Sequence, residues 1–182
     1  YRVYSKRYDK PFSATGTLFP DVTMQNWSVT EVEYMTKNGV IKGYPDGEFN
    51  PTNNLTRAEF AALISRYIDA KEVDDADVFG DLSNKHWAYK NIMSLYRAGL
   101  IQGYGDGTFK PENEVTRAEV VTVINKILGR NPSDEYVKTL DLNPFTDLIP
   151  EKWYYTAVLE ATVTHDYYLD DKNVEIKWEN CK

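Results

Sequence analysis

The chain has 182 residues, 42% of them hydrophobic and 27% charged, with a net charge of −7. That balance fits a soluble globular body and makes the chain a poor general ligand for nucleic acid, whose phosphates an acidic surface repels. No run of 18 apolar residues is present to cross a bilayer as a helix, and the single cysteine, Cys181, allows neither an intrachain disulfide nor a cysteine metal cluster.

Fourteen Tyr and four Trp supply large aromatics with a polar handle. Such residues suit half-wet sites such as sugar-binding faces, and they also pack small helices. The opening YRVYSKRYDK has no apolar signal-peptide core. It fits a cytoplasmic chain, a mature secreted one or an excised piece, and the absence of an initial Met favours a processed or cut chain.

The dominant feature is a repeat of 60 residues: Phe19, Trp27, Gly39 and Gly43 return as Phe79, Trp87, Gly99 and Gly103. Residues 1–17 form an N-terminal extension, in which Tyr1, Val3, Tyr4 and Tyr8 can supply a strand. The first repeat, 18–77, opens on FPDV and predicts a helix from Ser28 to Asn38, carrying Val29, Val32, Tyr34 and Met35 and capped by Gly39. Gly43, Pro45, Asp46 and Gly47 then predict a tight loop in which Asp-Gly makes a turn. Thr56-Arg57-Ala58-Glu59 is a capping box, and Phe60, Leu63, Ile64 and Tyr67 follow at helical spacing, expected to bury against the first helix.

The second repeat, 78–137, follows the same plan. Ile92, Met93, Leu95 and Tyr96 predict a helix ending near Gly99. The loop and box span Gly103 to Glu119 and share 11 of 17 positions with Gly43 to Glu59. Val120, Val123, Ile124, Ile127 and Leu128 mark the next helix, ended by Gly129. Phe60, Leu63, Val120 and Ile124 are the expected central core. Residues 138–182 hold a partial third repeat and a tail. Phe145, Asp147 and Trp153 match the opening, and Ala157, Val158 and Ala161 predict a helix. His165 stands where the period predicts glycine, and no third loop or box follows. Tyr154 and Val158 are expected to leave an apolar face for another chain or the N-terminal segment to cover. Val174 to Trp178 alternates like a strand that the N-terminal segment could pair with.

These motifs closely resemble S-layer homology repeats: an opening F-x-D-V, a Trp at the first helix, a G-Y-x-D-G-x-F loop and a T-R-A-E box. The resemblance covers about residues 18 to 165, with two complete copies and a truncated third. It implies an all-α fold of tandem helix-loop-helix units in a pseudo-threefold bundle, to which the alternation noted above adds short strands at the termini. It also implies a secreted module at the bacterial cell surface that anchors to the wall by binding an anionic, often pyruvylated, polysaccharide linked to peptidoglycan, or modified peptidoglycan itself. The departures allow at most two sites of the usual kind, and the missing half is expected in chain beyond this sequence.

Arg57 and Arg117 sit in the first turn after the caps, where a guanidinium beside a positive helix end can hold a carboxylate through paired bonds. The competing role is a brace for a neighbouring loop. Trp27 and Trp87 can stack on sugars or plug the bundle end. Gly43 and Gly103 permit close approach of a ligand, and Tyr44 and Tyr104 line the same groove. Lys42 and Gln102 are the unlike pair before those glycines, with Lys42 making its groove the more anion-selective. Asp21, Asp81 and Asp147 are read as acceptors for loop N–H groups. The Asp-Gly pairs fail the EF-hand spacing, so no metal is expected there. Neither His86 nor His165 has an obvious partner, and no acid, base or nucleophile set points to an enzyme or a cofactor. The alternative is self-assembly of a surface-layer protein, with the repeats pairing subunits in a homo-oligomer.

Overall fold

The computed structural model describes residues 12–73 and 78–182. It is mostly helical and ends in one hairpin: α1 (Val29–Lys37), α2 (Arg57–Tyr67), α3 (Tyr89–Arg97), α4 (Arg117–Ile127), α5 (Asp134–Val137), α6 (Tyr155–Thr162), β1 (Asp166–Leu169) and β2 (Glu175–Glu179). The chain divides into two compact units. The first takes the residues up to Arg97 together with Gly103–Glu114; the second takes Ala98–Gln102 and Val115–Lys182.

In the first unit, Val29 and Val32 of α1 face inward onto Phe19 and Val22, with Phe49 beside them. Tyr34, Met35 and Val40 form a second cluster, which Leu63 and Tyr67 of α2 cover as their helical spacing predicts. The more extensive helix neighbour of α2 is α3. Asn91 Nδ2 of α3 donates to Ser65 Oγ of α2 at 3.2 Å. Both capping boxes form: the Thr56 and Thr116 hydroxyls accept from Glu59 and Glu119 N–H, and the two Glu side chains accept from the cap N–H groups. Gly39 and Gly99 end α1 and α3 with φ of +74° and +70°, the left-handed step that glycine takes without Cβ strain. Phe60 is buried and Leu63 half-buried in this unit, while Val120 and Ile124 are half-buried in the second.

Glu33 is the one acidic side chain buried on α1, at 1% exposure. It accepts hydrogen bonds from Thr15 N–H at 2.8 Å, Thr17 N–H at 3.0 Å and the Thr15 hydroxyl. Burial by itself would raise its pKa, but those donors outweigh it and hold the carboxyl below its ordinary value.

In the second unit α4 packs on α6, with Asn125 Nδ2 donating to Ala157 O at 2.8 Å. The predicted strand forms, but its partner is local. β2 pairs antiparallel with β1, in the register Tyr167 to Trp178 and Tyr168 to Lys177. The N-terminal residues proposed for that pairing lie outside the described residues. The expectation of an uncovered third-repeat face is corrected: Tyr154 and Val158 are half-buried against Val137, Leu148, Tyr155, Leu159, Val163 and Trp178. The hairpin and α5 supply that cover from within the unit. Tyr136 fastens them together, its hydroxyl accepting from Trp178 N–H at 2.9 Å and donating to Trp178 O at 3.2 Å.

A Cβ on Gly103 would strike the Phe79 ring and stand 2.7 Å from Thr108 O, whereas one on Gly105 would meet nothing within 4 Å. Urea denaturation should show Gly103→Ala less stable by about 1–3 kcal/mol. The same measurement should show Gly105→Ala equal or more stable by about 0.4–1 kcal/mol, because the unfolded chain loses freedom. Glu33 adds a pH signature. Its folded pKa lies below the unfolded value, so its contribution is present above the unfolded value near 4.3 and is lost as pH falls through the folded one. Stability curves from pH 6 to pH 2 should therefore fall less steeply for Glu33→Gln than for the parent.

Candidate ligand surface

Each repeat opening grips its own loop. Asp21 accepts from Phe49 and Asn50 N–H at 3.0 and 2.6 Å, and Asp81 from Phe109 and Lys110 N–H at 2.8 and 2.7 Å. These are the acceptor roles expected of both carboxylates; Asp147 is exposed, in the copy whose sequence lacks the loop. Within the loops, Tyr44 N donates to Glu48 O and Tyr104 N to Thr108 O, both at 2.8 Å. Asp46 and Asp106 each accept the N–H two residues on, at 3.0 Å, which is the turn the Asp-Gly pairs predict. The Thr108 hydroxyl and Lys110 also bond Asp106 and draw its carboxyl down to about 2. Gly43 and Gly103 lie directly against the Phe19 and Phe79 rings, so close packing by the repeat's own phenylalanine already requires them.

Arg57 is buried, at 7% exposure. Its Nε donates to Phe109 O at 2.8 Å. Its guanidinium carbon lies 4.4 Å from the Phe109 ring centroid and 4.8 Å from that of Tyr104. It thus braces the second loop from the first turn of α2. The backbone donors of that turn are also engaged: Arg57 N–H meets Asn113 O at 2.8 Å, and Ala58 N–H meets Pro111 O at 2.9 Å. The competing role, a brace for a neighbouring loop, is thus the one Arg57 takes, and the start of α2 does not turn these two N–H groups to a ligand. Arg117 differs. Its side chain is exposed, and the sequence has no third loop to cover the start of α4.

The two tyrosines diverge as well. Tyr44 is half-buried and its hydroxyl donates to Glu59 Oε1 at 2.7 Å; that bond and burial push the phenol up to about 12. Tyr104 is 39% exposed, and the Lys110 ammonium lies 4.3 Å from its ring centroid. Arg57, Tyr104 and Lys110 thus form one cationic aromatic patch in the first unit. Sequence reasoning missed Lys110; the signal was its position, which Asn50 occupies in the first repeat. Lys42 and Gln102 are exposed. The three repeat tryptophans face water: Trp27 is 89% exposed, Trp87 59% and Trp153 65%, so none of these three plugs a core, whereas Trp178 of β2 is buried.

Both histidines have acidic partners, contrary to expectation. His86 Nε2 lies 3.0 Å from Glu112 Oε1, next to the carbonyls that meet α2. His165 Nε2 stands 3.2 Å from Glu160 Oε2 and 3.5 Å from Glu175 Oε2, all three side chains buried. Burial, reinforced by the neighbouring Glu175 charge, pushes Glu160 up to about 8. No sequence spacing signals this cluster, whose members come from α6, the turn after it and β2.

Comparison with known proteins places this geometry. The model of the S-layer homology domain matches residues 18–61 and 78–121. The chain is 34% identical over 165 residues to a cellulosome-anchoring protein of Acetivibrio thermocellus, covering 88% of this chain and 36% of that one. It is 33% identical over 175 residues to cell surface glycoprotein 1 of the same organism, covering 90% and 7%. S-layer protein sap of Bacillus anthracis is 31% identical over 143 residues, covering 79% and 17%. The chain thus spans about a third or less of the length of these relatives. With the opening aspartates, the paired loops and both capping boxes in place, the chain belongs to the S-layer homology domain family, whose role is binding or structural and not catalytic.

Proposed function

We propose that this chain anchors a larger protein to the bacterial cell wall by holding an acidic wall polysaccharide on its aromatic and cationic surface. The observation that carries the reading is the patch at the second loop. There the half-open Tyr104 ring lies beside the Lys110 ammonium and the Arg57 guanidinium. A carboxylate-bearing sugar, such as a pyruvylated amino sugar, offers such a patch both an apolar face and a charge. The exposed Trp27 and Trp87 extend the surface available to a long glycan. Family membership and relatives named as a cellulosome anchor and as S-layer proteins support the same reading and a site of action at the cell surface.

Arg57 and Arg117 take different parts in this proposal. Arg57 holds the loop and lends its charge from beneath. Arg117, exposed on the second unit, offers its guanidinium directly. Lys42 and Gln102 flank the loops and tune local charge, with Gly43, Gly103 and Tyr44 shaping the backbone beneath.

Calorimetric titration with a purified acidic wall oligosaccharide separates these roles. Lys110→Ala and Arg117→Ala should leave unfolding within about 0.5 kcal/mol of the parent. Each should weaken binding, by an amount that shrinks as salt is raised. Trp87→Ala should also weaken binding, without that salt dependence. Arg57→Ala should destabilise the fold by about 1.5–3 kcal/mol, through loss of a buried charge-assisted bond. Folded Lys110→Ala, Arg117→Ala and Trp87→Ala proteins that all bind like the parent would exclude this surface. Retention of the protein by wall sacculi stripped of their non-peptidoglycan polymer would redirect the proposal to peptidoglycan itself.

A further inference from the structure

The third repeat departs from the other two where it buries three ligating side chains together. Glu160 projects from α6, His165 lies in the turn before β1, and Glu175 opens β2. Their side chains are 3%, 5% and 2% exposed. His165 Nδ1 lies 2.8 Å from Val163 O. A carbonyl only accepts, so Nδ1 carries the hydrogen, and in the neutral ring Nε2 presents a bare lone pair. That lone pair faces two carboxylate oxygens. Glu160 Oε2 has no hydrogen-bond partner although it is fully buried. Three acceptors turned toward one another in a dry interior require a proton or a metal cation between them.

We propose that Glu160 Oε2, His165 Nε2 and Glu175 Oε2 form a structural site for a divalent transition-metal ion, with zinc the best fit. Donors about 2.0–2.2 Å from a tetrahedral zinc stand about 3.3–3.6 Å apart. The observed Nε2–Oε2 separations are 3.2 and 3.5 Å, and the three residues each offer one ligand atom within 4.8 Å of the others'. One imidazole and two carboxylates are a donor set that zinc accepts, and two negative charges balance the dication. The surroundings already orient the ligands. Val163 O fixes the His165 tautomer, Trp178 Nε1 donates to Glu175 Oε2 at 3.1 Å, and Asn131 N–H reaches Glu175 Oε1 at 3.4 Å. Arg130 Nε lies 3.5 Å from the other Glu160 oxygen, Oε1, and leaves Oε2 to the ion. The Trp178 ring stacks on His165 with centroids 3.8 Å apart and walls off one side. Bound there, the ion would tie α6 to both strands of the hairpin, in the part of the chain that lacks a third loop and capping box.

The test uses the full chain with Cys181→Ala, which removes the exposed thiol as a competing ligand. After chelator treatment, zinc alone should bind at one ion per chain. At about 100-fold excess over Kd it should raise Tm by about 5–10 °C. Cobalt(II) in its place should give the intense visible bands of a tetrahedral site. His165→Ala in the same background should lose both signals. Imidazole nitrogen NMR of the chain with both histidines intact provides a readout that does not depend on the variant folding: zinc should shift His165 Nε2 and leave His86 in place. An unchanged Tm with only the hydrated-cobalt spectrum would overturn the site. So would a zinc shift confined to His86, or undiminished binding by a folded His165→Ala protein.

Discussion

The pair of hydrogen bonds from Phe109 and Lys110 N–H to the Asp81 carboxylate governs the first unit. It holds the exit of the second loop against the repeat's opening. With Phe109 placed, its carbonyl meets Arg57 Nε and its ring underlies the guanidinium. Two and four residues on, Pro111 O and Asn113 O receive the first two N–H groups of α2. A carboxylate thus places a loop, and the loop in turn caps a helix that belongs to the preceding repeat. Backbone donors at a helix start are costly to bury unpaired, so the loop and the helix stabilise one another.

This interlocking explains why a periodic sequence produces units whose borders do not fall at the repeat borders. The opening, first helix and loop of the second repeat lie in the first unit, and its capping box and second helix lie in the other. The 60-residue period reports which residues are equivalent. It does not report which neighbour each one packs against, because the same side chain can close its own repeat or the one before it. Arg57 illustrates the point: its place after the cap was legible, but its partner lies 52 residues away.

Local signals were legible where short-range chemistry decides the outcome. Thr56 with Glu59 and Thr116 with Glu119 formed both boxes, Gly39 and Gly99 ended helices, and the Asp-Gly turns closed as read. The Val174–Trp178 alternation likewise announced a strand. Its partner did not show, because Asp166–Leu169 (DYYL) is exposed along its whole length and has no alternation to read. The buried Glu160–His165–Glu175 cluster was illegible for a related reason. Its members, five and ten residues apart, lie on three different elements, so no single helix or strand period lines them up, and only the hairpin's return brings β2 beside α6. Trp27 and Trp87 were ambiguous in sequence because an indole serves a core or a sugar equally well; their exposure settles the placement but not the partner.

Divergence between equivalent positions carries the remaining information. Tyr44 and Tyr104 have the same backbone hydrogen bonds, yet one phenol is committed to Glu59 while the other ring is half-open beneath Lys110. Asn50 and Lys110 both adopt φ of +57°, so the backbone makes the same demand at the two sites. Asparagine meets that demand with less strain than lysine. A lysine held in this conformation is therefore not explained by local backbone preference. Its ammonium lies near both Asp106, at 3.1 Å, and the Tyr104 ring, and its backbone N–H is held by Asp81. The strained position thus places a positive charge on an exposed aromatic surface. The first repeat, with Asn50 there, does not make that arrangement, and the two loops offer a ligand different chemistry on the same backbone.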